Sequence, residues 1–146
     1  MLTGAVLTLA GQVYQIVLNN PLADSFTLGL ASGASLGSGI ALFLGLSFLW
    51  FPIFSIIFSL ITLLLVLSVS AMLAKGYPVQ MLILTGLLLG ALLNALLYLL
   101  VLINPKKMNP IASYLFGGFS SAEYQDVMII SMIASVAIIV LFLMQK

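Results

Sequence analysis

Few side chains in this sequence can do chemistry. Asn94 is the one strongly polar residue deep inside an apolar run, and Gly86, Gly90, Asn94 and Tyr98 follow one another at a spacing of four. On a helix that spacing gathers two small residues, an amide and a phenol on one face. A polar group in lipid is costly, so this face either lines a pathway or packs against another helix with Asn94 in an interhelical hydrogen bond worth about 0.6–2 kcal/mol. Gln12, Gln15, Asn19 and Asn20 cluster at the end of the first apolar run. They either line an aqueous path, for which the deeper Gln12 and Gln15 are the better placed, or satisfy helix-terminal carbonyls. Asp24 caps a helix starting near Ser25 or Phe26, or pairs with a basic group on another chain. Glu123 and Asp126 stand in the first turn of a helix, where carboxylates stabilise the dipole by about 0.3–1 kcal/mol, and do not read as a catalytic pair. Ser68, Ser70, Ser131 and Ser135 are expected to bond their own helix backbone. Cysteine and histidine are absent, which excludes disulfides, thiolate chemistry, imidazole metal ligands and histidine bases. There is no nucleophile beside a base, no Walker lysine loop and no dinucleotide fingerprint. Catalytic and metal sites are therefore not expected, and any ATP used would be hydrolysed by another chain.

The elements that carry these residues are set by composition. Of 146 residues 64% are hydrophobic and 5% charged, with a mean hydropathy of +1.36, more apolar surface than a soluble globule of this size can bury. The chain reads as an integral membrane protein. Asp24, Lys75, Lys106, Lys107, Glu123, Asp126 and Lys146 all fall between or at the ends of apolar runs, as lipid requires. A net charge of +1 provides no basic patch and no reason to expect a nucleic-acid partner.

Hydropathy and breakers predict an all-α, polytopic transmembrane helical bundle in one domain over residues 1–146. It has about five spans, Leu2–Leu18, Thr27–Leu49, Pro52–Ala74, Val79–Ile103 and Val127–Met144, plus one short interfacial helix. The first run has no Lys or Arg ahead of it and no small-residue cleavage site, so it reads as a span, with Met1 inside a longer original helix, rather than a signal peptide. An odd count puts the termini on opposite sides. The lysines divide evenly between the sides and do not orient the chain. In the connection 104–126, Pro105 and Pro110 precede Ile111, Leu115 and Phe119 at a spacing of four, which predicts the short helix over about 110–119. Gly117 and Gly118 end it, and Ser120 and Glu123 form a capping box for the last span.

A second spacing concerns packing. Gly29, Gly33, Gly37, Ala41 and Gly45 recur every four residues, a small-residue face that lets another backbone approach closely.

The stretch Asn20-Pro21-Leu22-Ala23-Asp24, followed by the Gly/Ser/Ala-rich run through Gly37, resembles the signature of the FecCD-type permease subunits of ABC importers for iron-siderophores, haem and cobalamin. Three further blocks are similar in order and spacing: Leu2 to Gly11, Leu82-Ile83-Leu84-Thr85-Gly86 with Ala91 to Leu100, and Tyr114 to Phe119 with Ala122-Glu123-Tyr124. Ser25 stands where the family often has a second proline, and Tyr114 and Tyr124 where tryptophan is frequent. The family's permease has about ten helices in two related repeats, and the resemblance covers roughly the second to the sixth.

The resemblance implies a homodimeric or heterodimeric pore in the cytoplasmic membrane of a bacterium or archaeon. An ABC ATPase subunit would bind ATP and magnesium, this chain would bind no cofactor, and an extracellular or periplasmic substrate-binding protein would deliver the solute. It implies that Val79–Ile103 lines the path, that Lys106 and Lys107 face the binding protein, and that Asp24, Lys75 and Lys146 are cytoplasmic. Composition alone is equally consistent with a small stand-alone multispan channel or scaffold that self-associates through its glycine faces.

Overall fold

The computed structural model describes residues 2–21, 23–73, 78–117 and 124–144. Leu22 of the motif, Lys75, the Ser120 and Glu123 capping pair, Gly118, Phe119 and Lys146 lie outside the described residues. Those described form six α-helices: α1 (Leu2–Val17), α2 (Leu30–Phe43), α3 (Trp50–Leu73), α4 (Pro78–Ile103), α5 (Met108–Phe116) and α6 (Tyr124–Met144), with a 3-10 turn at Pro105–Lys107 leading into α5. The fold is all-helical. Among the described residues two apolar helices are long enough to cross a membrane: α3 with 24 residues and α4 with 26, roughly 36 and 39 Å at 1.5 Å per residue.

The chain divides into two compact units, residues 14–116 and residues 1–13 with 117–146. In the second of these, α6 leaves most of its described side chains exposed, among them Met128, Ile129, Met132, Ile133 and Val136, and buries Ala134. Ser131 and Ser135 hydroxyls donate to the carbonyls of Met128 and Ser131, each at 2.8 Å.

In the 14–116 unit the buried element is α2. Ser32, Gly33, Leu36, Gly37, Ser38, Gly39 and Ala41 are all buried. It packs against both α3 and α4, which also touch each other, and its far end meets α5. The register is antiparallel to α3 and parallel to α4: Gly33 lies against Thr62 and Gly37 against Phe54 and Phe58, while Gly29 meets Gly86 and Gly39 meets Leu97. The Thr62 hydroxyl, buried beside Gly33, donates to its own helix at Phe58 O (2.8 Å).

The expected span Thr27–Leu49 is helical only over Leu30–Phe43, because glycines in the left-handed region bracket it, Gly29 at φ 71° and Gly45 at φ 74°. Such a φ ends an α-helix and is readily adopted only without a Cβ. At the C-terminal end the Gly45 and Leu46 amides donate to Leu42 O and Ala41 O, each at 3.0 Å, a Schellman turn that satisfies two orphan carbonyls. Gly45 therefore ends the helix and does not belong to the packing face on which its spacing had placed it. The end of α1 closes the same way: Asn19 at φ 45° takes the left-handed position, and the Asn19 and Asn20 amides donate to Ile16 O (3.1 Å) and Gln15 O (3.0 Å).

A Cβ at Gly37 would lie 2.8 Å from the Phe58 Cβ and closer still to the Phe54 carbonyl, whereas one at Gly11 would meet nothing within 4 Å. Gly37→Leu is expected to push α2 off α3 and to cost at least the 1–3 kcal/mol, approximately, of an overpacked core. Thermal unfolding in detergent should show a lowered midpoint for that variant and little change for Gly11→Ala.

Candidate functional site

Of the residues singled out in the sequence, Asp24, Gly29, Gly86, Gly90 and Asn94 meet on the seam where α2 and the turn before it lie along α4. The turn is built by Asp24. Its Oδ1 accepts from the amides of Phe26 (2.9 Å) and Thr27 (2.8 Å), while the Thr27 hydroxyl donates to Asp24 O (2.8 Å) and accepts from Asp24 N (3.0 Å). Asp24 is thus a local cap, and the residues it organises, 25–29, form a turn ahead of α2 rather than the helix's first residues. Ala23, 1% exposed, and Leu28 anchor this corner in a cluster with Leu18, packed by Tyr14, Leu30 and Leu82. Pro21 is exposed, and Asn20 O accepts from Ala23 N at 3.1 Å.

The turn lies directly on α4. At Gly86 an added Cβ would come within 2.8 Å of Leu28 Cα, and closer to Thr27 O; at Gly90 it would meet Ser32 Oγ at 3.2 Å and Gly29 Cα at 3.5 Å. One turn further along, Asn94 Nδ2 donates to Ser32 Oγ at 3.2 Å. Asn94 otherwise remains an exposed residue, at the margin of the seam. Its amide is an interhelical bond, and Gly86 and Gly90 are the notch that brings the backbones close enough to form it.

Tyr98 departs from this face. It is 64% exposed, whereas Leu97 is 9% exposed and packs with Leu36 and Ile111. The reason is helical pitch. At about 100° per residue, Gly86 and Leu97 differ by only about 20° around α4, while Gly86 and Tyr98 differ by about 120°. Gln12 and Gln15 are exposed positions of α1, and Gln15 O is an acceptor in the turn that ends that helix.

Lys107 lies at the far end of α2. Its ammonium is turned inward, donating to Leu42 O at 3.3 Å and to Phe43 O, and lies 5.5 Å from the centroid of the Phe43 ring. A cation there complements the negative end of the helix. Lys106 is exposed and unpartnered among the described residues. Near this end Phe48, Phe51 and Tyr114 form a cluster of edge-on rings, with centroids 5.2–6.1 Å apart.

Sequence reasoning did not single out Ser32, Thr27 or Thr62. Ser32 carried the signal, since it stands one turn from Leu28 on the side of α2 that a second partner helix would meet. Among the described residues the assembled seam offers hydroxyls, an amide and closely packed backbone, and its one carboxylate, Asp24, is taken up by the amides of its own turn. It can hold helices in register and present weak hydrogen-bonding groups.

Such a seam, in a chain of this apolarity with two membrane-length helices among the described residues, fits an α-helical membrane protein. The family is defined by the whole sequence: residues 1–146 match the model of the FecCD transport family, and the chain belongs to it. It is 36% identical over 133 residues to an uncharacterized ABC transporter permease protein, YvrB, of Bacillus subtilis, covering 88% of this chain and 38% of that protein. It is 35% identical over 146 residues to a probable iron chelatin transport system permease protein of Helicobacter pylori, covering 99% and 44%. It is 33% identical over 127 residues to the molybdate import system permease protein MolB of Haemophilus influenzae, covering 86% and 37%. The chain thus spans about two fifths of the length of these curated relatives. No solved structure matches it.

Two measurements test the seam. Asn94→Ala and Ser32→Ala, combined in a double-mutant cycle of unfolding in detergent, should show a coupling near 0.6 kcal/mol and below about 2 kcal/mol; strictly additive effects would rule out the hydrogen bond. Asp24→Ala removes both amide acceptors of the turn and should cost about 1 kcal/mol, with Asp24→Asn recovering most of it.

Proposed function

We propose that this chain forms part of the permease subunit of an ATP-driven ABC importer in the cytoplasmic membrane of a bacterium or archaeon, carrying an iron-siderophore, haem or cobalamin-like chelate. The observation that carries this reading is the family match along the entire chain, starting from the Asn20-Pro21-Leu22-Ala23-Asp24 corner. Two relatives are named for an iron chelatin and for molybdate, the first a chelate and the second a metal oxyanion.

In this reading α1, α2 with its flanking turns, α3, α4 and α6 are the five spans, and α5 lies on the extracellular side. The chain binds no cofactor and catalyses nothing. A partner ATPase binds ATP and magnesium, and its closure drives rigid-body motion of the helices that opens the path to one side at a time. The path is built with a second permease copy or a homologous permease. Its candidates here are the exposed margin of α4 at Asn94 and Tyr98, beside the Gly86 and Gly90 notch, and the exposed Gln12 and Gln15 of α1. Lys106 is the cation left to meet acidic groups of a substrate-binding protein, since Lys107 is engaged within the fold.

The test is gentle solubilisation of the tagged protein from its native membrane, followed by mass spectrometry of everything retained. Recovery with an ATP-binding subunit and a solute-binding protein is the expected result. Recovery bound only to copies of itself would replace this reading with that of a stand-alone membrane protein.

A further inference from the structure

Lys107 is the only lysine among the described residues whose charge is used inside the fold, and its contacts join two separate elements. On one side are the last carbonyls of α2, Leu42 O and Phe43 O, together with the Phe43 ring. Leu42 O already accepts from the Gly45 amide at 3.0 Å, so the ammonium approaches a turn whose own bonds are formed. On the other side Lys107 belongs to the 3-10 turn that Pro105 opens and that continues directly into α5. The amide of Lys107 closes that turn on Asn104 O at 2.9 Å.

Two apolar contacts hold α5 to the bundle. Ile111 of α5, 2% exposed, packs with Leu36 of α2 and Leu97 of α4. Tyr114 of α5 stands edge-on to Phe51 of α3 (5.2 Å between centroids) and to Phe48 in the segment that links α2 to α3 (6.1 Å). These contacts resist separation of α5 from the bundle but leave sliding of α2 along its axis to side-chain repacking. A cation bonded to terminal carbonyls is directional. Axial movement of α2 relative to the α4–α5 connection stretches those bonds first, and losing charge-assisted hydrogen bonds from a half-buried ammonium is costly.

We propose that Lys107 is a positioning residue that clamps the C-terminal end of α2 to the connection between α4 and α5, so that a displacement of α5 is passed to the buried helix and through it to the seam at Ser32 and Asn94. As a step in transport this rests on the importer reading above; as a mechanical link it does not.

The link is read without transport. In the native membrane complex freed of any substrate-binding protein, a water-soluble N-hydroxysuccinimide ester should acylate Lys106 at least about tenfold faster than Lys107, because the bonded ammonium must first leave its carbonyls. Lys107→Met should raise amide exchange both at residues 42–46 and within α5, and Lys107→Arg, which keeps the charge and the donors, should restore protection at both. Equal acylation of the two lysines, or a rise in exchange confined to one of the two segments, would overturn the clamp. If the complex transports, Lys107→Met should lower kcat about tenfold with KM for the loaded binding protein unchanged, an effect within the range of a partly buried charge at a helix terminus. A KM effect with kcat intact would overturn the relay and return Lys107 to the docking surface. A wild-type complex that transports nothing would count against the importer reading, while exchange and acylation still decide the clamp.

Discussion

A helix of 14 residues is about 21 Å long, and the backbone groups left over at its two ends have no partner within the helix itself. In lipid every such group needs a partner within the protein. The 14–116 unit is organised around that requirement. The turn before α2 is closed by the Asp24 carboxylate and the Thr27 hydroxyl, and its residues Leu28 and Gly29 are buried on α4. The turn after it is closed by a Schellman motif at Gly45 and by the Lys107 ammonium.

Burial of that helix then dictates what its neighbours are. A buried helix flanked on both sides cannot carry large side chains on both faces, so glycine recurs where α2 meets α3, and again on α4 where the turn rests. Close approach of backbones replaces the hydrophobic driving force that is missing between helices in lipid, leaving van der Waals contact and an occasional hydrogen bond as the cohesive terms. The Asn94 to Ser32 bond is one of these, and it forms only because Gly86 and Gly90 let α2 come near. The exposed leucines and isoleucines of α3 and α4 lie on the outside of that unit.

Much of this was legible. The apolar runs marked α1, α3, α4 and α6 to within a few residues, Pro105 and the following spacing marked α5, and the Asn-Pro corner marked the family. Spacing was less informative where it had to be turned into direction. Tyr98 looked continuous with Gly86 because the text repeats every four residues, but the helix repeats every 3.6, and over three turns the phenol rotates off the face. Gly45 looked continuous with Gly37, yet its backbone is left-handed and the helix has already ended. Lys107 and Lys106 are neighbours of the same charge, and no sequence property separates the inward ammonium from the outward one.

What the sequence determined by itself was the solvent and the class: an apolar chain with its few charges at the ends of long apolar runs reads as a helical membrane protein, because lipid permits little else. What only the tertiary structure decided was which face meets which helix and which polar groups are consumed internally. Those assignments depend on contacts between residues some sixty positions apart, such as Asn94 with Ser32 and Lys107 with Leu42. Their partners are selected by how closely two backbones approach, a quantity that local composition and periodicity do not contain.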